Sequence, residues 1–257
     1  MKTYRFIKTS TAGNRTGFIL GKSAWSNRKQ IIAILQSKKN LEAEQFAFLW
    51  KTRRAEPYMV MAGNEISGGA ILASPSILGI NKKETTINIP GYKLNTIVSG
   101  TSENKIYVRV NLPKKLIIKY PETIIFNYRG RKYKGYKVVL DGIAYLVSKK
   151  PPVEKGLSLF KALNRTLNTQ KIQSIGIINI VDKAKMQATV WVKKLNTITD
   201  EQACTTGTIS AQLSFPNKTG RWEQASKEKI RAKTGKSIII EAGVEVLSEG
   251  KLYLTQN

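Results

Sequence analysis

The stretch CTTGTISAQL, Cys204 to Leu213, and its counterpart SGGAILA, Ser67 to Ala73, decide how this chain is read. Each opens on a nucleophile-type side chain, Cys204 in one and Ser67 in the other. Each continues through glycine and other small residues and then turns apolar. That order predicts a helix start where the backbone is open to close approach. A polar turn precedes each run, residues 62–65 in the first and 196–202 in the second.

Working outward, the segments around each helix read as strands. In the first half these are Tyr4–Lys8, Gly17–Leu20, Ala43–Trp50, Tyr58–Met61, Thr85–Ile89, Asn95–Ser99 and Ile106–Asn111. A helix is expected over Asn27–Gln36, and the helix from Ser67 should end before Pro75. In the second half the strands are Leu116–Lys119, Thr123–Tyr128, Tyr136–Leu140, Ala144–Ser148, Ser174–Val181, Gln187–Lys193, Ser237–Glu241 and Lys251–Thr255. A helix over Glu154–Asn168 carries Leu157, Phe160, Leu163 and Leu167 on one face. The halves echo each other: a Gly turn between strands, a helix, two strands, a polar turn and a small-residue helix. Either this is coincidence among β-rich segments, or it is an internal repeat of two α+β domains facing each other. The boundary is expected at Pro113–Lys115, with 1–113 plus 248–257 as one domain and 114–247 as the other.

Composition excludes several chemistries. The 257 residues include no histidine and one cysteine. No Ser-His-Asp triad, Cys-His pair, histidine metal site, internal disulfide or multi-thiolate cluster can be built from them. No metal site is expected. The basic start MKTYRFIKTS lacks a following apolar region, and no run approaches a membrane span of roughly 18 apolar residues. The chain reads as soluble and cytoplasmic, without a membrane partner. Its formal charge is +26, yet the basic residues are dispersed. One patch stands out, YRGRKYKGYK at 128–137, with five basic residues and three tyrosines. It fits a phosphate-tracking strand or, the preferred reading, a solvated edge strand, so nucleic acid is not the expected partner.

A thiol at the first turn of a helix lies in an electropositive position that favours thiolate. The same free N–H groups bind a carboxylate. Thr205, Thr206, Gly207 and Thr208 after Cys204, and Gly68 and Gly69 after Ser67, leave room for a ligand. Two such helix ends facing one cleft would place an acid/base group on each face of an amino-acid α-carbon. The alternative for Cys204 alone is a buried structural thiol.

These motifs, in this order, resemble the cofactor-independent amino-acid racemases and epimerases of the diaminopimelate epimerase fold, over the whole chain. Thr11–Thr16 (TAGNRT) is similar to the family's first Gly-Asn loop, and Ala62–Ala70 (AGNEISGGA) to its first catalytic loop. Val139–Val147 (VLDGIAYLV) is similar to the Gly-Asn-Pro-His strand, and Asp200–Thr208 (DEQACTTGT) to the second catalytic loop. Residues 234–241 and 249–255 are similar to its closing strands. Four departures stand out: Ser67 occupies the place of the first catalytic cysteine, Gly69 replaces an asparagine, residues 141–143 lack Asn-Pro-His, and Leu195-Asn196 replace a Glu-Arg pair. The Gly-Asn-Glu before Ser67 is closer to the histidine racemases of the family.

The resemblance implies two pseudo-symmetric domains, each a curved, mostly antiparallel sheet around a central helix. It implies racemisation without pyridoxal phosphate, metal or any other cofactor, by a thiolate and a thiol on opposite faces. Cys204 and the residue at 67 would be the catalytic pair. Asn14, Asn64, Glu65, Gly68, Gly69, Glu201 and Thr205–Thr208 would hold the substrate, a small amino acid with histidine preferred, and a homodimer stays open. Ser67 is a weak base at neutral pH; it is read as an engineered replacement of the cysteine or, alternatively, as a natural one-base relative. Competing functions are a phenazine-biosynthesis-type isomerase using a carboxylate such as Glu65, and a non-catalytic basic binding protein.

Overall fold

The computed structural model describes residues 2–37, 42–53, 56–79, 84–102, 104–168 and 172–254. Contacts divide the chain into two units. The first holds residues 1–62, 69–111 and 241–257; the second holds 63–68 and 112–240.

In the first unit β1 (Lys2–Thr11) and β2 (Asn14–Leu20) form an antiparallel hairpin over the two-residue turn Ala12-Gly13. Both turn residues have positive φ, 50° and 96°, the geometry that matches strand twist in a two-residue loop. Helices α1 (Lys22–Ser26) and α2 (Arg28–Ser37) then carry the chain to β3 (Gln45–Lys51), which pairs parallel to β2. A parallel step needs such a crossover, because a tight turn cannot return the chain to the same end. β4 (Pro57–Met61) pairs antiparallel to β3. Helix α3 (Gly68–Ile77) leads to β5 (Glu84–Ile89), parallel to β4, and β6 (Tyr92–Ser102) and β7 (Lys105–Leu112) follow antiparallel. The last strand of the chain lies beside β7 and pairs antiparallel with β1, which closes an eight-strand barrel. Closure leaves no free edge.

The second unit begins with β8 (Ile117–Tyr128), β9 (Arg131–Leu140) and β10 (Ile143–Ser148), antiparallel in sequence. Helix α4 (Leu157–Leu167) crosses to β11 (Ser174–Asp182), parallel to β10. Its fully buried Leu159, Phe160, Leu163 and Leu167 pack on Phe126, Leu146, Ile175 and Trp191. β12 (Lys185–Val192) and β13 (Thr197–Glu201) continue antiparallel. Helix α5 (Thr205–Ser214) then leads to β14 (Arg221–Glu223), parallel to β12, followed by β15 (Lys229–Thr234) and β16 (Ile238–Leu254).

Both small-residue helices are buried on all sides rather than along one stripe. Every residue of α3 but Ser76 is buried, as is α5 from Thr205 to Gln212. A helix apolar all round belongs inside a sheet shell. For α3, Thr11 of β1 donates its hydroxyl to the Gly69 carbonyl (3.0 Å), and Ser74 contacts the Met59 sulfur of β4.

Several expectations change. Helix α3 continues through Pro75, two residues from its end, where a missing N–H costs only one bond. The polar segment 196–202 is largely strand β13, because Thr197, Ile198 and Thr199 are β-branched and pair with Val192, Trp191 and Val190. The two expected closing strands are one strand, β16, whose polar middle is exposed while its backbone pairs with β1. Thr255 lies outside the described residues. Strands β14 and β15 are additional. The basic stretch at 128–137 is a hairpin arm on β9 with Lys132 and Lys134 exposed. Among the described residues no helix is long and apolar enough to cross a membrane.

Candidate active site

Cys204 is the N-cap of α5, with extended backbone (φ −134°, ψ 106°). Its sulfur accepts a hydrogen bond from the Gly207 N–H at 3.2 Å, in the manner of a capping side chain. The Tyr145 hydroxyl lies 3.3 Å from the sulfur and 2.7 Å from Thr206 Oγ1. The backbone around the thiol is fixed as well. Cys204 N–H donates to Gln224 Oε1 (3.0 Å), and the Cys204 carbonyl accepts from both the N–H and the hydroxyl of Thr208 (2.9 and 2.7 Å). Gln224 in turn donates to Thr208 Oγ1 and to the Trp222 carbonyl.

The electrostatics run against the simple helix-end expectation. Burial pushes the Cys204 thiol well above its ordinary value, and the neighbouring Glu201 carboxylate adds to the rise. The Tyr145 hydroxyl and the Gly207 N–H oppose this and do not win. Desolvation disfavours the anion more than one helix turn stabilises it. Burial likewise pushes the Tyr145 phenol well up. The resting site therefore presents a protonated thiol beside a protonated phenol.

Tyr145 and Gln224 were not among the expected site residues. Tyr145 on β10 pairs with Gly176 on β11, and a Cβ on Gly176 would sit 2.1 Å from the tyrosine ring. A lone glycine inside the apolar run Ile175-Gly176-Ile177 is the sequence signal of such a close approach. No comparable signal marks Gln224.

The loop 63–68 belongs to the second unit and is pinned at three glycines. A Cβ on Gly63 would meet Val192 Cγ1 at 2.7 Å, one on Gly142 would meet the Ile66 N at 3.4 Å, and one on Gly68 would meet Thr205 Cβ and Oγ1 at 2.8 Å. Residue 68 thus lies directly against the first residue of α5. Asn64 takes the left-handed conformation (φ 65°) that asparagine tolerates, and is exposed. Ser67 is buried, immediately ahead of α3. Glu65 is half-buried; its Oε2 is sealed from solvent, and the Glu65 and Gly63 backbone hydrogen-bond its carboxylate. Burial raises the Glu65 carboxyl to about 7, against the pull of the Glu65 and Gly63 backbone and of the Lys194 charge.

Of the expected residues, Asn64, Glu65, Ser67, Gly68, Glu201, Cys204 and Thr205–Thr208 lie in the second unit; Asn14 and Gly69 lie in the first. The amides of Gly207 and Thr208 are already spent on Cys204. Asn14 is buried, donating to Glu44 Oε2 (3.3 Å) and accepting from Gln45 Nε2 (2.8 Å) and Thr16 Oγ1 (3.4 Å).

Solved structures share this fold at low sequence identity. A predicted epimerase from Pseudomonas aeruginosa aligns with a TM-score of 0.66 at 11% identity, covering 98% of this chain and 100% of that one. A hydroxyproline epimerase from Agrobacterium vitis, with bound trans-4-hydroxy-L-proline, aligns at 0.65 and 11%, covering 98% and 91%. A phenazine biosynthesis protein of the PhzF family from Bacillus anthracis aligns at 0.55 and 11%, covering 99% and 100%. No curated protein matches the chain. The family described as the histidine racemase CntK N-terminal domain matches residues 3–253, nearly the entire length, and the chain belongs to that family.

Proposed function

We propose that this protein is a cofactor-independent amino-acid racemase of histidine, with position 67 and Cys204 as its proton-transfer pair. The observation that carries the reading is the meeting of residue 68 with Thr205. It sets Gly68, which follows Ser67, against Thr205, which follows Cys204, within the second unit. Family membership supports the reaction type.

In the proposed reaction the first-turn amides of Gly68, Thr205 and Thr206 hold the substrate carboxylate. One group removes the α-proton, and the electron pair left on the α-carbon spreads into that carboxylate. The opposite group delivers a proton to the other face. Cys204, protonated at rest and hydrogen-bonded to Tyr145, is the donor. Residue 67 is the base, and a serine there is a far weaker base than a thiolate. The chain as it stands is an impaired form.

The domain plan supports the same reading. In each unit a hairpin, a helix, a parallel step, an antiparallel strand, a buried helix and a second parallel step follow in the same order. We read the two units as versions of one plan divided near residue 113, the second with the additional strand β13. A carboxylate-base isomerase is the second reading, favoured by the raised Glu65.

Solvent-deuterium uptake into the α-position of L- and D-histidine tests the proposal. Ser67→Cys is expected to exchange and racemise roughly 10²–10⁴-fold faster than the starting chain. Full activity in the serine form, abolished by Glu65→Gln, would favour the carboxylate-base reading instead.

A further inference from the structure

β9 is not an edge strand. β8 pairs along it on one side, β10 pairs on the other from Tyr136 onward, and the Ser148 hydroxyl donates to the Lys134 carbonyl at 2.7 Å. Its lysines therefore do not guard an open edge. Alternation along the strand puts Lys132, Lys134 and Tyr136 on one face. They line a cavity of about 460 Å³ together with Lys149, Lys150 and Phe215, the residue that ends α5. A second cavity of about 870 Å³ adjoins it, because Lys149 and Phe215 line both, and it adds Lys183 and Lys218. Both lie wholly in the second unit.

The smaller cavity has no acidic lining residue. Among the described residues, Lys132, Lys134, Lys149 and Lys150 take part in no ion pair. Like charges around one concave site repel each other and focus their field on counter-ions. The negative end of α5 opposes them with only about half a charge. Tyr136 and Phe215 meet edge to face with centroids 5.2 Å apart, and Lys149 Nζ lies 5.3 Å from the Phe215 ring centre. Tyr133 packs instead against Phe126 in the core beneath α4. The two rings thus form one platform, which suits one stacked ring. A single-strand binder sets out aromatic side chains in succession. The volume is that of a small-molecule site.

We propose that this cavity binds a nucleoside polyphosphate, with its base against Tyr136 and Phe215 and its phosphates on Lys132, Lys134, Lys149 and Lys150. The site is separate from Cys204 and does not depend on the racemase reading.

Calorimetry on the full chain at about 0.15 M salt tests it with ATP, with methyl triphosphate, which has the phosphates but no ring, and with a short oligothymidylate. ATP should bind about 5- to 100-fold more tightly than methyl triphosphate, the range of one base on an aromatic ring. Replacing Lys134 and Lys150 together by Gln should weaken both triphosphates by about tenfold or more. Lys161→Gln, exposed on α4 and outside both cavities, should change neither. Phe215→Leu should bring ATP to within about threefold of methyl triphosphate and leave the latter unchanged. Tyr136→Leu should do the same and carries the test if Phe215→Leu does not fold. Equal affinity for ATP and methyl triphosphate in the starting chain overturns the inference. So does ATP binding that the lysine pair leaves unmoved, or that Lys161→Gln weakens as much. Tighter binding of oligothymidylate than of ATP also overturns it, since the cavity would then be part of a single-strand track.

Discussion

The two helix starts differ in what holds their polar groups. At α5 the Cys204 sulfur, carbonyl and amide all have protein partners, contributed by Tyr145, Gly207, Thr208 and Gln224. In the loop ahead of α3, the Glu65 carboxylate takes hydrogen bonds from the Glu65 and Gly63 backbone and Ser67 replaces the expected thiol. Both helices are buried all round, so packing does not explain the contrast. The α5 end carries a hydrogen-bonded thiol kept neutral by burial, and the loop ahead of α3 carries a carboxyl that burial raises to about 7.

The largest effect expected from this contrast is on turnover. In the Ser67→Cys background, Cys204→Ala should reduce histidine racemisation by roughly 10²–10⁴-fold. A smaller loss would mean that the α5 end is not a partner in proton transfer.

The next effect is on stability against pH. Glu65 is raised from 4.5 to about 7, so between those values the folded chain keeps a proton that the unfolded chain has released. Stability contributed through this group therefore falls as pH rises from about 4.5 to 7 and is level above, by up to about 3 kcal/mol. Glu65→Gln should flatten that slope in urea titrations across the window. An unchanged slope would show that the carboxyl is not buried in solution.

Gly68→Ala should destabilise the chain by about 1–3 kcal/mol, because its Cβ would meet buried Thr205 at 2.8 Å. It should also slow the Ser67→Cys enzyme. A neutral result in chemical denaturation would separate the two helix starts.

The last effect sharpens the thiol side. Tyr145→Phe removes the hydroxyl's contacts with both the Cys204 sulfur and Thr206 Oγ1 and should cost about 1–3 kcal/mol. It should slow iodoacetamide reaction at Cys204 further, since the phenol lowers the thiol's pKa against burial. Glu201→Gln should speed that reaction, because Glu201 holds the thiol up. Faster alkylation of Tyr145→Phe would contradict the assigned balance.

The helix starts were legible because a run of small residues between a polar turn and an apolar stretch favours an open helix end over a strand or a loop. Most strands were legible from β-branched runs. β13 was not, since its short β-branched run Thr197–Thr199 is flanked by Asn196 and by Asp200-Glu201, which read as a polar turn until the segment pairs with β12. The three-residue β14 carries too little pattern to read. β16 hid its continuity because its exposed middle is polar. The role of Tyr145 depends on register across β10 and β11, which no local pattern encodes. The sign of the Cys204 shift was also out of reach: a helix start argues for thiolate, and only three-dimensional burial and the position of Glu201 reverse it.

The most direct test of the central claim is an initial-rate experiment with the Ser67→Cys protein in heavy water, starting from L-histidine. With two separate proton-transfer groups, one strips the α-hydrogen and the other supplies solvent-derived deuterium from the opposite face. The account predicts that early D-histidine is deuterated while recovered L-histidine is not. Deuterium appearing equally early in both enantiomers would indicate a single exchanging base and would contradict it.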